Sequence, residues 1–300
     1  MNNVLIAGGT GLIGSKLVIK LKQNNYKIVF LSTRPNANNL KDSYYWNPEQ
    51  GIFPDIDLSQ FSCVINLCGA GIFDKDFSDE RKQILLNSRV KPIEMLLQQF
   101  QLQNVKLPAF ISASASGYYE NISNEGLNEA SPHGRGYISE LVQQWEATAL
   151  KMQAVSERVA IMRIGIVMAE QGGFLEPIRK SLKLFAGAVP GPGDQLISWI
   201  HIDDLCDAFI YIMEKKLSGV FNGTAPHPES ITKITKLLAK QLNRPLWLPN
   251  IPVWALKIIF GKERHKLLLS SQNIAPYRLM YEGFKFQHPY ADEAIQSLGK

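Results

Sequence analysis

Short apolar runs alternate with longer segments of helical periodicity through the first 167 residues. The short runs are typical of buried strands, and the longer segments place their apolar residues on one helical face. The pattern predicts strands at residues 4–7, 27–31, 63–67, 109–112 and 159–164, and helices at residues 12–21, 90–100 and 138–149. Strands that alternate with helices favour an α/β fold, a Rossmann-type doubly wound parallel sheet with helices on both faces.

The pattern changes after Val167, where glycine and proline pairs indicate loops. We therefore predict an NADP(H)-binding Rossmann domain over residues 1–167 and a smaller, mixed, substrate-side portion over residues 168–300. Segments near residues 197–225 are expected to return to the main sheet. The smaller portion would cover the edge where the carboxyl ends of the strands meet, which is where ligands bind in such sheets.

A glycine-rich loop joins the first predicted strand to the first predicted helix and reads AGGTGLIG. Strand, glycine turn and helix in this order form the context in which such a loop binds a dinucleotide. The early glycines let the main chain approach a pyrophosphate, and the helix offers free N–H groups and its positive dipole end. The residues predicted to contact the cofactor here are Gly8, Gly9, Thr10, Gly11, Leu12, Ile13 and Gly14.

The end of the second predicted strand decides which nicotinamide cofactor is expected. An NAD site usually carries an acid there for the ribose 2′-hydroxyl. This chain reads Ser32-Thr33-Arg34, and the first acid that follows is Asp42. An arginine beside two hydroxyls suits a 2′-phosphate, so we predict NADP(H), with a solvated surface arginine as the alternative for Arg34.

Composition narrows the function classes. The formal charge of +5 is spread along the chain without a block of like charges, which is weak evidence for an anionic ligand and poor evidence for nucleic acid. The expected partner is a small-molecule substrate. The three cysteines form no CxxC pair, so a structural metal or disulfide framework is not expected. The absence of a long apolar run predicts a cytoplasmic protein without a membrane span, and a homodimer is left open.

Several motifs occur in an order that resembles a known family. They are GGTGLIG, VINLCGAGI at residues 64–72, SASASGYY at 112–119, RIGIV at 163–167, SWIHIDD at 198–204 and NGTAPHP at 222–228. The chain resembles extended short-chain dehydrogenase/reductases, and more narrowly their atypical branch of "epimerase family" proteins, SulA-like, with its own C-terminal domain. The match runs nearly end to end.

The resemblance implies further cofactor contacts. It implies that Leu67, Cys68, Gly69 and Ala70 pass under the adenosine and ribose, that Arg89 lies near the cofactor, and that Gly165 and Ile166 lie near the nicotinamide. From the residues alone, Arg89 is either a phosphate partner or a helix-surface ion pair. Ser139 is a candidate ribose contact or a helix cap.

The resemblance also implies a catalytic tyrosine, a lysine four residues later that lowers its pKa, and a serine that orients a carbonyl. Ser114 and Tyr137 occupy the expected serine and tyrosine positions, with a strand-end cap as the less favoured alternative for Ser114. Position 141 is Leu, so the lysine is missing. Tyr118 and Tyr119 could replace the acid, but packing is the simpler interpretation.

Two functions therefore stay open. The first is an NADP(H)-dependent oxidoreductase acting on a small carbonyl or sugar-like substrate, with Tyr137 or water handling the proton. The second is a cofactor-binding regulatory or sensor protein without turnover, which the missing lysine motivates. Fold alone does not choose between these functions.

Overall fold

A parallel sheet forms the centre of the computed structural model, which describes residues 2–34, 42–119 and 126–299. The strands in chain order are β1 (Asn3–Ala7), β2 (Lys27–Ser32), β3 (Ser43–Tyr45), β4 (Cys63–Asn66), β5 (Phe110–Ala115), β6 (Val159–Ile164), β7 (Ile166–Met168), β8 (Leu196–Ile197), β9 (Trp199–His201), β10 (Gly219–Gly223) and β11 (Glu229–Ser230). The helices are α1 (Leu12–Gln23), α2 (Asp79–Leu102), α3 (Tyr137–Leu150), α4 (Leu175–Lys183), α5 (Ile202–Glu214), α6 (Ile231–Gln241), α7 (Val253–Leu268), α8 (Tyr277–Tyr281) and α9 (Ala291–Ser297).

Seven strands build the main sheet in the order β3-β2-β1-β4-β5-β6-β10. All neighbouring pairs are parallel, which confirms the predicted α/β fold. The chain leaves β1 toward β2 on one side and later adds β4 on the other side. The crevice between the ends of β1 and β4 is therefore the switch point at which such sheets bind ligands.

The strands form where the sequence has short apolar runs that the sheet buries on both faces. Val4, Leu5 and Ile6 of β1 and Val64 and Ile65 of β4 have no exposed surface. A parallel strand covered on both faces needs such a continuous run rather than an alternating pattern. These strands fix the positions of the loops that follow them.

Helix α2 begins eleven residues earlier than the predicted start at residue 90. Its N-terminal cap is Ser78, whose side chain accepts the backbone N–H of Arg81 at 3.1 Å. Asp79 and Glu80 occupy the first turn, where their negative charges complement the helix dipole. The earlier start brings Arg81 of this first turn to the loop that follows β4.

The C-terminal portion has a smaller hydrophobic core of its own. Trp199, Ile234 and Ile295 lie in this core with less than 2 % exposure. Two short sheets, β8 with β11 and β7 with β9, adjoin it. Helix α7 contains a non-helical Gly261 with φ of 79°, so its two parts differ in direction. The second part of α7 reaches the ligand edge of the main sheet.

Candidate functional site

The loop after β1 is shaped by glycines that leave no room for a side chain. Gly8 has φ of +83°, and a β-carbon there would lie 2.8 Å from the carbonyl carbon of Leu67. A β-carbon on Gly14 would lie 2.5 Å from the carbonyl oxygen of Gly8. The loop therefore packs tightly against both the loop after β4 and the first helix.

The first turn of α1 presents its main chain to this crevice. Gly11 caps the helix without a side-chain hydrogen bond, and the first turn contains no acidic residue. Thr10 and Gly11 are exposed, whereas Leu12 and Ile13 are half-buried. Free N–H groups at a helix start, with the positive dipole end and close glycine backbone, fit a diphosphate.

Three residues are predicted to determine whether NAD(H) or NADP(H) binds. Ser32 is the last residue of β2, and Thr33 and Arg34 follow it. Ser32 is buried and its hydroxyl accepts the backbone N–H of Arg34 at 3.2 Å. Thr33 and Arg34 are exposed. No carboxylate among the described residues pairs with the Arg34 guanidinium. Its charge is therefore open to a ligand at this edge.

Helix α2 holds the loop after β4 through both backbone groups of one residue, Ala70. The backbone N–H of Ala70 donates to the Ser88 hydroxyl at 2.9 Å, and the Arg89 guanidinium donates to the Ala70 carbonyl at 3.0 Å. Arg89 also donates to the Leu85 carbonyl at 2.9 Å and is only 6 % exposed. The predicted helix-surface ion pair is thus wrong for Arg89, since its guanidinium is buried on backbone carbonyls.

Other members of this loop have distinct surroundings. The Leu67 N–H donates to the Ala7 carbonyl at 2.8 Å, which ties the loop to β1. Burial raises the pKa of the Cys68 thiol to about 12, so Cys68 stays a neutral thiol at neutral pH. Arg81 donates to the carbonyl of Gly71 at 2.5 Å and thereby extends the clamp that α2 places on the loop.

A cavity of about 730 Å³ opens beside this loop at the carboxyl ends of β5 and β6. Among its lining residues are Gly69, Ala70, Arg89, Ser116, Tyr137, Ser139, Gly165, Ile166, Lys266 and Gln272. The glycine loop after β1 does not line it, so the cavity lies beyond the predicted diphosphate site. A β-carbon on Gly165 would collide with the carbonyl oxygen of Ser198, which explains the glycine beside this cavity.

Tyr137 faces the cavity from the first turn of α3. Its hydroxyl donates to the backbone carbonyl of Lys82 at 3.1 Å, and its ring packs against Phe77 with centroids 5.5 Å apart. Burial raises the pKa of the Tyr137 phenol, while the positive charges of Arg89 and Arg81 act in the opposite direction. The phenol is therefore a neutral proton donor at neutral pH.

Ser114 does not line the cavity. Its hydroxyl donates to the Glu146 carboxylate at 2.6 Å, and Glu146 also receives two hydrogen bonds of 2.8 Å from Arg163. All three side chains are buried. Ser116, two residues later along the chain, does line the cavity. This placement gives no support to the carbonyl-orienting role predicted for Ser114.

Ser139 lines the cavity but its hydroxyl is engaged by the protein. It donates toward the carbonyls of Tyr118 and Gly134 at 2.9 and 3.0 Å and accepts a hydrogen bond from Gln143. Ser139 thus joins α3 to the chain that follows β5. A ribose hydroxyl could reach Ser139 only by donating to the remaining lone pair of its oxygen or by displacing one of these bonds.

A charged network that was not predicted from the sequence fixes Ser114. Arg163 donates to the Tyr119 hydroxyl at 2.9 Å, and that hydroxyl donates to the Asn222 amide oxygen at 2.7 Å. The Arg163 guanidinium also lies 3.3 Å from the Tyr118 ring centroid. The network therefore links β6, β10, α3 and the segment after β5. The acid four residues before the end of α3 gave no signal, because a charged helical residue normally faces solvent.

Comparison with known proteins identifies the family. Residues 4–223 match the NAD dependent epimerase/dehydratase family, and residues 251–298 match DUF1731, a domain of unknown function. This chain belongs to the NAD dependent epimerase/dehydratase family. The matched region of this chain ends at Gly223, the last residue of β10 in the main sheet.

Relatives align over nearly the whole chain. Epimerase family protein ML0860 of Mycobacterium leprae is 34 % identical over 293 residues, which is 97 % of this chain and 94 % of that protein. The chloroplastic SDR39U1 homolog of Arabidopsis thaliana is 33 % identical over 313 residues, covering 98 % and 86 %. The crystal structure of human epimerase family protein SDR39U1 (isoform2) with NADPH has a TM-score of 0.88 at 25 % identity, covering 99 % and 98 %.

None of the helices in the described ranges is long and apolar enough to cross a membrane. Within those same ranges, no three His, Cys, Asp or Glu residues are grouped as a metal ion would require.

Proposed function

We propose that this protein is an NADP(H)-binding oxidoreductase of the extended short-chain dehydrogenase type that acts on a small carbonyl or sugar-like substrate. The observation that carries the proposal is the packing of Gly8 and Gly14 at the switch point between β1 and β4. That packing forms a cradle which a side chain would fill, and a cavity with a phenol and a serine adjoins it along the same sheet edge.

The residues fit NADP(H) at both ends of the cradle. The first turn of α1 would hold the diphosphate, and Arg34 would bind the 2′-phosphate by charge-assisted hydrogen bonds. The human relative that was crystallised with NADPH supports this choice. When bound, the nicotinamide supplies or accepts a hydride; the protein's Gly165 and Ile166 would border it, and the clamp of Ser88 and Arg89 on Ala70 would keep the β4 loop in place.

The first experiment is calorimetric titration of the purified protein with NADPH and with NADH. The expected result is binding of both, with NADPH the tighter ligand because Arg34 interacts with its additional phosphate. Tighter binding of NADH would contradict the role of Arg34. If neither NADPH nor NADH binds, the cofactor proposal itself is contradicted.

The cavity suggests which groups would act on the substrate. Tyr137 would donate a proton to the substrate oxygen, and a serine hydroxyl would orient the carbonyl. We favour Ser116 over Ser114 for the second role, because Ser116 lines the cavity while the Ser114 hydroxyl is bonded to Glu146.

A single-turnover experiment separates these assignments. The loss of nicotinamide absorbance would be followed with a panel of aldehydes, ketones and keto-sugars, comparing the unmodified protein with Tyr137→Phe, Ser116→Ala and Ser114→Ala. We expect the first two changes to slow hydride transfer. Ser114→Ala should lower the free energy of unfolding, but the protein that remains folded should transfer hydride at the unmodified rate. A slower rate in folded Ser114→Ala than in Ser116→Ala would reverse the assignment.

The alternative is a sensor that binds NADP(H) without turnover. Two observations favour it: Leu141 occupies the lysine position, and the Tyr137 hydroxyl is engaged by the Lys82 carbonyl. Cofactor binding without hydride transfer across the panel would favour this function. A cytoplasmic location is proposed with either function, in keeping with three free cysteines.

A further inference from the structure

The lysine expected four residues after Tyr137 is replaced by a side chain that carries no charge. Leu141 is only 2 % exposed, so this position of α3 supplies no positive charge to the phenol. A buried phenol without a cation nearby is a poor partner for proton transfer, because its ionised form is destabilised. Any replacement charge has to come from another element.

Helix α2 packs against α3, and its Arg89 lines the same cavity as Tyr137. Tyr137 is attached to the first turn of α2 through the Lys82 carbonyl. Arg81, Leu85 and Arg89 follow one another at i, i+4 spacing and thus share one helical face. All three are buried, at 8, 0 and 6 % exposure, on a helix that begins beside the cavity.

We propose that Arg89, assisted by Arg81, takes the electrostatic place of the missing lysine and equips Tyr137 to donate its proton to substrate. This inference rests on the proposed function. In the reducing direction, the phenol O–H bond breaks and a new O–H bond forms on the substrate oxygen, as hydride reaches the adjacent carbon. The phenolate that remains shares its cavity with the guanidinium, and a proton from solvent restores the phenol.

Arg89 is suited to this task because its charge is fixed before any reaction. Its guanidinium is held by the Leu85 and Ala70 carbonyls and lies 5.1 Å from the Trp145 ring centroid. Burial lowers its pKa to about 10, so it keeps its proton at neutral pH. A preorganised charge in a water-poor site stabilises developing negative charge without a reorganisation cost.

Arg81 and Arg89 differ in how far other charges offset them. Arg81 lies 3.4 Å from the exposed Asp74 carboxylate, so part of its charge is neutralised. Arg89 forms no ion pair with any carboxylate in the described part of the chain. We therefore expect Arg89 to be the dominant cation at the phenol.

The remaining charged groups around the phenol are exposed or paired. They are Lys82 on α2, Arg135 and Glu140 next to Tyr137 in the chain, and Glu263 and Lys266 on α7. Lys82 lies 5.5 Å from the Tyr137 ring centroid but is 38 % exposed and pairs with Asp79. Lys266 pairs with Glu263 at 3.0 Å. Solvent and partners therefore screen these charges more than that of Arg89.

The test measures the phenol directly and needs no substrate. A fluorinated tyrosine that titrates near neutral pH is incorporated at position 137 of the full chain, and its fluorine NMR shift is followed against pH. Arg89→Met should move the titration midpoint upward by about one pH unit, since an oppositely charged neighbour is lost. Arg89→Lys, which keeps a charge, should restore most of the difference. Arg81→Met should give a smaller upward movement.

The matched control is Arg158→Met, because Arg158 precedes β6 at the opposite edge of the sheet. The titration midpoint of the fluorinated tyrosine in Arg158→Met should equal that in the chain with Arg158 unchanged. An unchanged midpoint in Arg89→Met with a native far-UV spectrum would overturn the inference. If Arg89→Met does not fold, an unchanged midpoint in Arg81→Met, which removes the assisting cation, would overturn the inference, whereas an upward movement in Arg81→Met would support it. Failure of the proposed function is separate, because it would appear as absent cofactor binding or hydride transfer.

Discussion

The buried pair of Glu146 and Arg163 offers a quantitative test of the interpretation that Ser114 is structural. In Glu146→Gln the side chain keeps its shape and loses its charge. Arg163, whose side chain is 5 % exposed, would then lack the carboxylate that receives two of its hydrogen bonds. Its remaining contacts are the Tyr119 hydroxyl, a 3.4 Å bond to the Glu129 carbonyl, and the face of the Tyr118 ring.

Removing one partner of a buried ion pair costs about 3–5 kcal/mol, because the other charge stays buried without compensation. The amide oxygen that Glu146→Gln introduces can still accept the Ser114 hydroxyl, so we expect the lower end, a loss of about 3 kcal/mol in the free energy of unfolding. For a chain of this size, each kcal/mol lowers the melting temperature by about 2–4 °C, so the expected decrease is about 6–12 °C.

Urea unfolding followed by circular dichroism, together with calorimetry, would measure both quantities. The control is Glu140→Gln on the exposed face of the same helix, which should change stability by less than about 0.5 kcal/mol. The double change Glu146→Gln with Arg163→Met should recover part of the loss, since no unpaired charge remains. A loss below about 1 kcal/mol in Glu146→Gln would refute a dehydrated ion pair, and Ser114 would then be available for another role.

Three further predictions follow from the fold and the cradle. Gly14→Ala should cost about 1–3 kcal/mol of stability and weaken NADPH binding in calorimetry, because its β-carbon meets the Gly8 carbonyl; Gly126→Ala, which meets nothing within 4 Å, should do neither. Arg34→Gln should weaken NADPH binding by about 10- to 100-fold and leave NADH binding unchanged, as expected for the loss of a charge-assisted hydrogen bond. Burial and the neighbouring His288 lower the pKa of His201 to about 4. The contribution of His201 to the free energy of unfolding should therefore be fully present above about pH 6.5 and decrease by at most about 3 kcal/mol as the pH is lowered to 4. Denaturation measured across this range should show that His201→Asn removes this contribution.

The sequence predicted the parts of the fold in which burial alone selects the residues. Strands β1, β4 and β6 come from apolar runs that are covered on both faces, and β6 coincides with its predicted range. Strand β3 was missed, because three residues at a sheet edge carry too weak a pattern. The start of α2 was missed although Ser78, followed by two acids, is an N-terminal cap pattern.

The candidate site divides in the same way between local and distant determinants. The glycine loop was recognisable because strand, turn and helix are contiguous, and its chemistry depends on the main chain. The surroundings of Ser114 were not recognisable, since Glu146 and Arg163 lie 32 and 49 residues further along the chain. A serine that ends a strand can face a cavity or a buried acid, and only the packing of α3 decides which.

The missing lysine illustrates why a spacing pattern can fail while its chemistry survives. The YxxxK pattern places a cation beside a phenol within one helix, but the electrostatic requirement fixes only the distance and the dehydration of the charge. In our proposal helix α2 supplies the charge from outside α3. Tyr137 is bonded to its first turn, and Arg89 is buried on the same face as Arg81 and lines the same cavity as Tyr137. A leucine at position 141 therefore removes the local source of charge without removing the charge, and absence of the pattern is weak evidence against proton transfer by Tyr137.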